Sequence, residues 1–417
     1  MTRTLSGGGR RTSAVAAALA FMSLGLAACS SDSSGSDSGT TELTWYMWSS
    51  SEAEVDAWNQ VGDLVTERYP DITMSFETAS WADYWTRLAT QAGSSSGPCI
   101  VGVQSLRVTG VADLLQPLGD VLPDDVDLGD FDPSILDAMT VDNEQLALPY
   151  DFGPLVVYYN KDAFAAAGLA EPEPDWTVDD FTAAARALTS GDQYGFAAFP
   201  NIDYFLPWAV NMTGRQAVDE TGELNLTDPD FVEAFQWYAD LVGTEGVAAE
   251  VPATSNSSAL DQFLAGNAAM TVDGPWNLIN AQSTASFDVG IVPVPAGDAG
   301  QTSVTSGSGF GITQGCSDTE AAARALSVIT GPDAGEYLAS SGRAYSARTA
   351  QQQSWYDNAV EGAQEALEAA ASSAEAERTT ADWTSVVSAF QQYGTQAING
   401  ETSAEEFLNT VQEQAGS

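Results

Sequence analysis

Segments typical of strands and of helices alternate along the first hundred residues, and this order constrains the fold more than any other feature of the sequence. Residues 43–48 alternate apolar and polar side chains as a strand does, and residues 52–69 carry apolar side chains at helical spacing. Residues 72–76, 81–91 and 100–103 continue the order as strand, helix and strand. Two neighbouring strands that are joined by a helix run parallel. We therefore predict an α/β fold with mostly parallel sheets that are flanked by helices.

The rest of the sequence extends this pattern, and its 417 residues have room for two or three domains. Further strands are predicted at 155–159, 268–272, 287–294 and 310–313. Helices are predicted to begin where a capping residue precedes an apolar pattern, at Thr177, Asp228-Pro229 and Ser317. Beyond Ala344 the pattern is helical without a strand signal, and residues 361–378 are typical of a solvent-exposed helix.

The charged residues exclude several classes of protein. The chain has 58 Asp and Glu against 13 Lys and Arg, no histidine, and a net charge of −45. Without histidine it has neither a Ser-His-Asp triad nor a histidine-ligated zinc site. The single lysine, Lys161, follows Asn160, so the sequence has no Gly-Lys-Ser/Thr phosphate-binding loop. An anionic surface repels phosphate backbones, so we predict no nucleic-acid partner, and we predict neither a cofactor nor a metal.

Residues 1–28 have the order of a secretory signal peptide. Arg3, Arg10 and Arg11 precede an apolar run over 14–26, which is shorter than the ~20 residues that span a bilayer. The sequence Leu-Ala-Ala-Cys at 26–29 resembles a bacterial lipobox, which implies cleavage before Cys29 and a diacylglycerol on its thiol. The alternative is an ordinary signal peptide that a cysteine follows by chance. The arginine pair leaves general secretion and twin-arginine export both open.

Residues 29–41 are predicted to form a lipid anchor and a flexible tether, because 30–41 consist of Ser, Gly, Asp and Thr. Cys99 and Cys316 would then reach an oxidising compartment. A disulfide between these two cysteines is expected there, and two buried free thiols are the alternative.

Four separated parts of the chain carry motifs. They are 147–151 with 156–162 (Ala-Leu-Pro-Tyr-Asp and Val-Val-Tyr-Tyr-Asn-Lys-Asp), 263–270 with 273–276 (ending in Asp-Gly-Pro-Trp), 306–312 and 345–348. In order and spacing these motifs resemble the extracellular solute-binding lipoproteins of ABC sugar importers, the maltose-binding-protein-like family. The resemblance covers nearly the whole mature chain. It implies a two-lobed periplasmic-binding-protein-like fold with a helical C-terminal tail.

The resemblance also implies a division of the chain and a mode of action. It assigns residues 42–149 with 293–332 to lobe one, and residues 150–292 with 333–417 to lobe two. Ligand in the cleft would close the lobes by a hinge motion, and the closed form would dock on a membrane permease that supplies the ATPase. The implied protein is a monomer without enzymatic activity, tethered at the outer face of the cytoplasmic membrane.

A sugar site needs hydrogen-bonding side chains beside aromatic rings, because a sugar presents both hydroxyls and an apolar C–H face. Trp276 is the main candidate, since it follows the predicted strand 268–272 and the turn Gly274-Pro275. The matching tryptophan of the family stacks on sugar. The alternative is a tryptophan buried in the core.

The other predicted ligand-binding residues follow predicted strands, lie where the chain crosses between lobes, or belong to the aromatic segment 203–208 and its neighbour. They are Trp48, Ser49, Ser50, Gln104, Ser105, Tyr150, Asp151, Asp203, Tyr204, Trp208, Asn211, Gly307, Ser308, Arg343 and Tyr345. For these residues the alternatives are ordinary packing, a surface loop or, for Arg343, an ion pair with one of the many acids.

Three rival functions are compatible with parts of the sequence. Aromatic rings with carboxylates also suit a receptor for a polyamine or a quaternary amine. A secreted glycosidase needs only a pair of carboxylates and no histidine. An envelope adhesion protein would lack a closing cleft. The spread of acidic residues over the whole chain favours a solvated surface over a cation pocket, so a sugar or oligosaccharide is the predicted ligand.

Overall fold

The computed structural model describes residues 40–49, 52–94, 96–252 and 259–415. The predicted signal peptide, Cys29, most of the tether and Ser50 lie outside this range. Thr41, the last residue of the predicted tether, is already the first residue of a strand. No helix in the described part of the chain is long and apolar enough to cross a membrane.

The strands form two main sheets and one short hairpin. In chain order they are β1 Thr41–Trp48, β2 Ile72–Ala79, β3 Ile100–Gln104, β4 Thr140–Val141, β5 Glu144–Gln145, β6 Leu148–Pro154, β7 Val156–Asn160, β8 Met270–Asp273, β9 Val289–Pro293, β10 Val304–Ile312 and β11 Glu375–Ala376. The larger sheet has six strands in the order β11-β10-β3-β1-β2, with β6 also paired to β10. Its β1–β2, β1–β3 and β10–β11 pairs are parallel, whereas β10 runs antiparallel to β3 and β6.

The smaller sheet corrects the expectation that both sheets are mostly parallel. Its three strands are ordered β8-β7-β9, and both of its pairings are antiparallel. The helix-connected strands β8 and β9 do run in the same direction, as predicted for such a unit. However, β7 enters directly from β6 and lies between them in the opposite direction. The sequence pattern shows which strands a helix connects, but not which strand is inserted between them.

The helices cover the sheets and form the end of the chain. They are α1 Glu52–Arg68, α2 Trp81–Gln91, α3 Val108–Val111, α4 Pro133–Asp137, α5 Lys161–Ala167, α6 Val178–Leu188, α7 Ile202–Thr213, α8 Pro229–Gly243, α9 Ala259–Leu264, α10 Leu278–Thr284, α11 Thr319–Ile329, α12 Pro332–Ser340, α13 Gln352–Tyr356, α14 Ala363–Ala371, α15 Trp383–Ile398 and α16 Ala404–Ala415. The predicted helix starts are confirmed to within two residues. Thr177 forms the expected capping box with Asp180, and Asp228 caps α8.

Each sheet has an apolar core of its own, and a third cluster contains buried residues of both sheets. Against the larger sheet, Trp45 contacts Trp58 of α1 and Phe310 of β10, with ring centroids 5.5 and 5.0 Å apart. In the second core, Phe181 and Trp208 pack together at 4.7 Å, and α15 and α16 pack against α8. These two cores place one α/β layer on each side of the chain crossings at β6–β7 and β9–β10.

The lobe boundaries stay predictions, although two observations favour boundaries that lie further along the chain. Strand β6 pairs with β10 along its length, and therefore residues 150–154 belong with the larger sheet. Helix α12 packs against α1 and α11, also on the larger-sheet side, although 333–340 were assigned to lobe two. Helices α15 and α16 pack against α8, in agreement with the assignment of the C-terminal tail.

Two expectations for the C-terminal part are wrong. Residues 375–376 form a short strand beside β10, which the helical pattern beyond Ala344 did not indicate. Within 361–378 the helix α14 is not simply solvent-exposed, because Ala363, Ala366, Leu367 and Ala370 are buried and the helix packs on β9 and β6. Alanine is small and weakly apolar, so an Ala/Glu-rich sequence does not show which of its alanines will be covered.

Cys99 and Cys316 form a disulfide, with Cα atoms 4.5 Å apart. The predicted bridge is formed because β3 and β10 are antiparallel neighbours. Cys99 immediately precedes β3 and Cys316 follows β10, so the pairing of the two strands brings both cysteines to the same end of the sheet. This separation lies in the range of about 4.4–6.8 Å that disulfides require.

Candidate functional site

A cavity of about 340 Å³ lies between the two sheets, in the range of roughly 300–1,000 Å³ typical of small-molecule sites. Ten of the predicted ligand-binding residues line it. They are Trp48, Gln104, Tyr150, Asp151, Asp203, Tyr204, Trp276, Gly307, Ser308 and Arg343. Because parallel strands end at the same edge of a sheet, the ends of β1 and β3 bring Trp48 and Gln104 together there. That these ten residues contact a ligand remains a prediction.

On the smaller-sheet side, Trp276 lies in the turn Pro275–Asn277 after β8 and is half-buried. The absence of a side chain at Gly274 is necessary, because a Cβ there would lie 2.1 Å from Cη2 of the indole. Asp273 is buried and accepts hydrogen bonds from the Gly274 amide at 2.7 Å and from Asn277. Burial raises the pKa of Asp273 to about 7, while bonds from Gly274, Asn277 and the Trp276 indole oppose this rise. The carboxyl group therefore helps to position the ring.

On the larger-sheet side, the aromatic rings contact one another. Trp48 contacts Trp81 edge-on at 4.9 Å, Tyr84 at 5.2 Å and Trp85 at 5.5 Å. Tyr84 is fully buried and donates a hydrogen bond to the Gly102 carbonyl oxygen at 2.7 Å. Trp81, in contrast, is 38% exposed and lines the cavity. This wall is a packed aromatic cluster with one surface open to the cavity.

The crossing strand β6 supplies a buried carboxyl group at the base of the cavity. Asp151 accepts a hydrogen bond from the Ser308 amide at 2.7 Å. Burial raises its pKa to about 7, and the bonds from Ser308 and the charge of Arg343 oppose the rise. Arg343 itself forms an ion pair with Glu54 of α1 and lies over the Trp58 ring. The alternative considered for Arg343, an ion pair with an acid, is thus present even though its side chain also lines the cavity.

These groups together suit a neutral ligand with many hydroxyls. Aromatic side chains from both sides line the cavity, together with carboxyl, amide and guanidinium groups. Carboxylates accept and guanidinium groups donate, so both kinds of hydroxyl hydrogen bond are available. Two arginines and two aspartates of opposite charge line the same space, which gives no strong preference for an ionic ligand.

A family model described as bacterial extracellular solute-binding protein matches residues 49–336. The chain belongs to this family. It is 30% identical over 195 residues to the sn-glycerol-3-phosphate-binding periplasmic protein UgpB of Brucella abortus (strain 2308), covering 43% of each chain. Overall, the chain spans 43% to 66% of the lengths of such curated relatives.

Solved structures share the whole fold of this solute-binding protein. The ABC substrate-binding protein Lmo0181 from Listeria monocytogenes, in complex with cycloalternan, has a TM-score of 0.81 at 23% identity and covers 89% of this chain and 97% of its own. The maltose-bound MalE3 of T. maritima has a TM-score of 0.77 at 21% identity, with 90% and 98% covered. The predicted two-lobed, maltose-binding-protein-like fold is confirmed by these likenesses.

Trp208 and Asn211 do not line the cavity of this solute-binding protein. The segment 203–208 belongs to helix α7, whose apolar face packs into the core, and Trp208 is fully buried between Phe181 and Trp237. Asn211 is buried one turn further on. Its amide donates to the Pro295 carbonyl oxygen at 2.9 Å and accepts from the Thr302 amide at 2.7 Å, so it fixes the loop after β9. The aromatic composition of the segment indicated a site, whereas its helical periodicity would have indicated a core.

Three other predicted residues also lie elsewhere. Ser105 is buried and its hydroxyl accepts a hydrogen bond from the Gly307 amide at 3.1 Å. Tyr345 is buried, with its hydroxyl 2.6 Å from that of Tyr356. Ser49 does not line the cavity, and its amide donates to the Ala79 carbonyl oxygen. Gly307 lines the cavity and also allows the close approach of β6, because a Cβ there would lie 2.4 Å from the Asp151 carbonyl oxygen.

Nine residues that line the cavity were not predicted from the sequence. They are Trp81, Leu106, Arg107, Leu155, Phe199, Asn201, Ser306, Val387 and Gln391. Trp48 is the last residue of β1 and Trp81 lies two residues after the end of β2, so the rule that places site residues at strand ends would have found Trp81 as well. Val387 and Gln391 lie within α15, far along the chain, and no local signal indicates them.

Arg107 is the most informative of these missed residues. It is 5% exposed, donates a hydrogen bond to Gln104, and lies over the rings of Trp81 and Trp85 at 5.1 and 4.9 Å. Burial lowers the pKa of Arg107, and the charges of Asp203 and Glu377 act against this. Asp203 in turn accepts a hydrogen bond from the Trp383 indole at 3.1 Å. A cation of the larger-sheet side thus faces Asp203 on the opposite side of the cavity.

Proposed function

We propose that this solute-binding protein is the receptor of an ABC importer and captures a sugar or a short oligosaccharide in the cavity between its lobes. The observation that carries this proposal is the pair of aromatic walls, Trp48 with Trp81 on one side and Trp276 with Tyr204 on the other, with hydroxyl-binding groups between them. Sugar rings stack on aromatic faces and bind through bidentate polar groups. Cycloalternan and maltose are the ligands of the two similar solved structures.

A melting-temperature screen tests the ligand class. Saccharides are expected to raise the melting temperature, whereas spermidine, glycine betaine and sn-glycerol 3-phosphate are not, because Arg107 and Arg343 offset Asp151 and Asp203. A shift with a polyamine or betaine and none with any saccharide would instead assign a cation receptor. A shift with sn-glycerol 3-phosphate alone would assign the ligand named for the Brucella relative.

We further propose that the ligand is bound and released without chemical change, by a monomer. Lobe closure about the crossings β6–β7 and β9–β10 would present the closed form to the permease. Small-angle scattering with and without the sugar found in the screen should show compaction. Release of reducing ends from oligosaccharides would assign a glycosidase, and an unchanged radius of gyration with every ligand would favour a rigid adhesion protein.

The membrane anchor is proposed from the sequence alone, on the lipobox at 26–29 and the Ser/Gly-rich residues that follow it. Replacement Cys29→Ala should release the protein from the membrane fraction, because the acceptor of the lipid is lost. A variant that stays in the membrane fraction with the mature mass unchanged contradicts lipidation. The variant Ser30→Ala, next to the cysteine, serves as the matched control and should stay anchored.

A further inference from the structure

A second cavity of about 260 Å³ lies beside the first, and the segment 104–109 lines both. Gln104, Leu106 and Arg107 face the first cavity, whereas Ser105, Val108 and Thr109 face the second. Glu377 also lines the second cavity. The segment 104–109 and the side chains that contact it therefore separate the two cavities.

Arg107 lies at the centre of this separation. Its guanidinium interacts with Asp203, which lines the first cavity, and with Glu377, which lines the second. Desolvation and the neighbouring charge of Asp203 raise the pKa of Glu377 well above its usual range. The turn Ser105–Arg107 also contacts helix α15, which carries Val387 and Gln391. Side chains from both sides thus meet between the cavities.

The contact is held by charge and packing, and its hydrogen bonds are incomplete. Within the described part of the chain, Nε of Arg107 and Oε1 of Glu377 are buried and have no hydrogen-bond partner. The Arg107 side chain is instead fixed by the rings of Trp81 and Trp85 beneath it and by its bond to Gln104.

We propose that Arg107 is a specificity-determining residue that closes one end of the ligand cavity and so limits the length of the saccharide. The proposal rests on the proposed function and deepens it. The first cavity is near the low end of the size range for small-molecule sites and suits one or two sugar rings. A longer chain would have to pass the Arg107 contact to reach the second cavity.

Calorimetry of the mature wild-type protein with two series of defined length tests this inference: glucose, maltose, maltotriose and maltohexaose, and mannose, mannobiose and mannohexaose. In the series that binds, the affinity of the wild type for the hexasaccharide should be about tenfold or more below that for the disaccharide, as shape discrimination by a pocket allows. The variant Arg107→Ala should reduce this ratio at least several-fold by joining the two cavities. The variant Arg324→Ala should keep it, since Arg324 also lies over an aromatic ring, Tyr69, but lines neither cavity.

The outcomes separate the two proposals. Hexasaccharide binding by the wild type that is as tight as disaccharide binding overturns the length limit and leaves the sugar receptor standing. A length preference in the wild type that Arg107→Ala retains, in a variant with a normal melting transition, overturns the role of Arg107. Binding of neither series counts against the proposed function itself. If Arg107→Ala does not fold, the wild-type series still decides the length limit.

Discussion

On the larger-sheet wall of the cavity, Trp48 contacts Trp81, Tyr84 and Trp85, whereas no aromatic ring of the described residues pairs with Trp276 on the opposite wall. The first wall is held by ring-on-ring packing. The second is held by backbone, through Gly274, and by the buried carboxyl group of Asp273. Two different kinds of support thus present similar surfaces to the same cavity.

This difference suggests how each wall responds to substitution. Loss of one ring from a cluster leaves neighbours that still cover the ligand, although the remaining rings shift. Trp276 is positioned by backbone and packs on no other ring of the described residues, so no packed ring remains in its place when it is lost. The smaller-sheet wall should therefore be the more sensitive in ligand binding, and the buried rings beneath each wall should affect stability instead.

The largest effect is expected for Trp208→Ala. This variant tests whether a buried tryptophan on the smaller-sheet side contributes to stability without contributing to ligand binding. Trp208 is fully buried, so truncation should lower the free energy of unfolding by about 3–5 kcal/mol. The saccharide affinity of the folded variant should be nearly unchanged. Chemical denaturation and calorimetry measure both quantities, and a loss of affinity without a loss of stability would place Trp208 in the site.

Next in size is the effect of Trp276→Ala on binding. The dissociation constant should rise about 30-fold, or about 2 kcal/mol, as is typical for an aromatic binding anchor. The melting temperature should change little, because the side chain is half-buried and lines the cavity. The opposite pattern, unchanged affinity with a much lower melting temperature, would assign Trp276 to the core.

A smaller effect is expected for Trp48→Ala on the clustered wall. Its dissociation constant should rise by about tenfold or less, at most about 1.4 kcal/mol, because Trp81 and Trp85 remain. The double variant with Trp81→Ala should lose more than the sum of the two single losses, as expected for coupled neighbours. Simple additivity in calorimetry would show that the rings act independently and would remove the contrast between the walls.

The last prediction concerns the carboxyl group behind Trp276. The pKa of Asp273 is raised to about 7, so the folded state holds its proton more tightly than the unfolded state, whose value is near 4. Stability should therefore fall as the pH rises from about 4 to about 7, by about 1 kcal/mol per pH unit for this group. Asp273→Asn should flatten that slope in denaturation curves, and Asp175→Asn, at an exposed position, should not. An equal slope in all three proteins would show that Asp273 does not titrate in this range.

Local signals were sufficient for much of the fold. The predicted helix at 81–91 matches α2, and the Thr177 capping box is present. The strands that end at Trp48, at Gln104 and shortly before Trp276 lie within a few residues of their predicted ends. Strand periodicity and helix caps depend on neighbouring residues, so they can be read from the chain. The start of β10 at Val304 was missed because its Ser/Gly-rich residues do not favour a strand; pairing with β3 and β6 on both sides stabilises it.

The sequence by itself thus determined the α/β class, the residues at strand ends and the two cysteines available for a bridge. The tertiary structure decided the insertion of β7 between β8 and β9, the burial of Trp208, and the arrival of Arg107, Val387 and Gln391 at the cavity. The physical reason is that a side chain at a strand end is directed to the site by its own element. A residue such as Gln391 reaches the cavity only because α15 packs beside α7, and such long-range contacts leave no pattern in the local sequence.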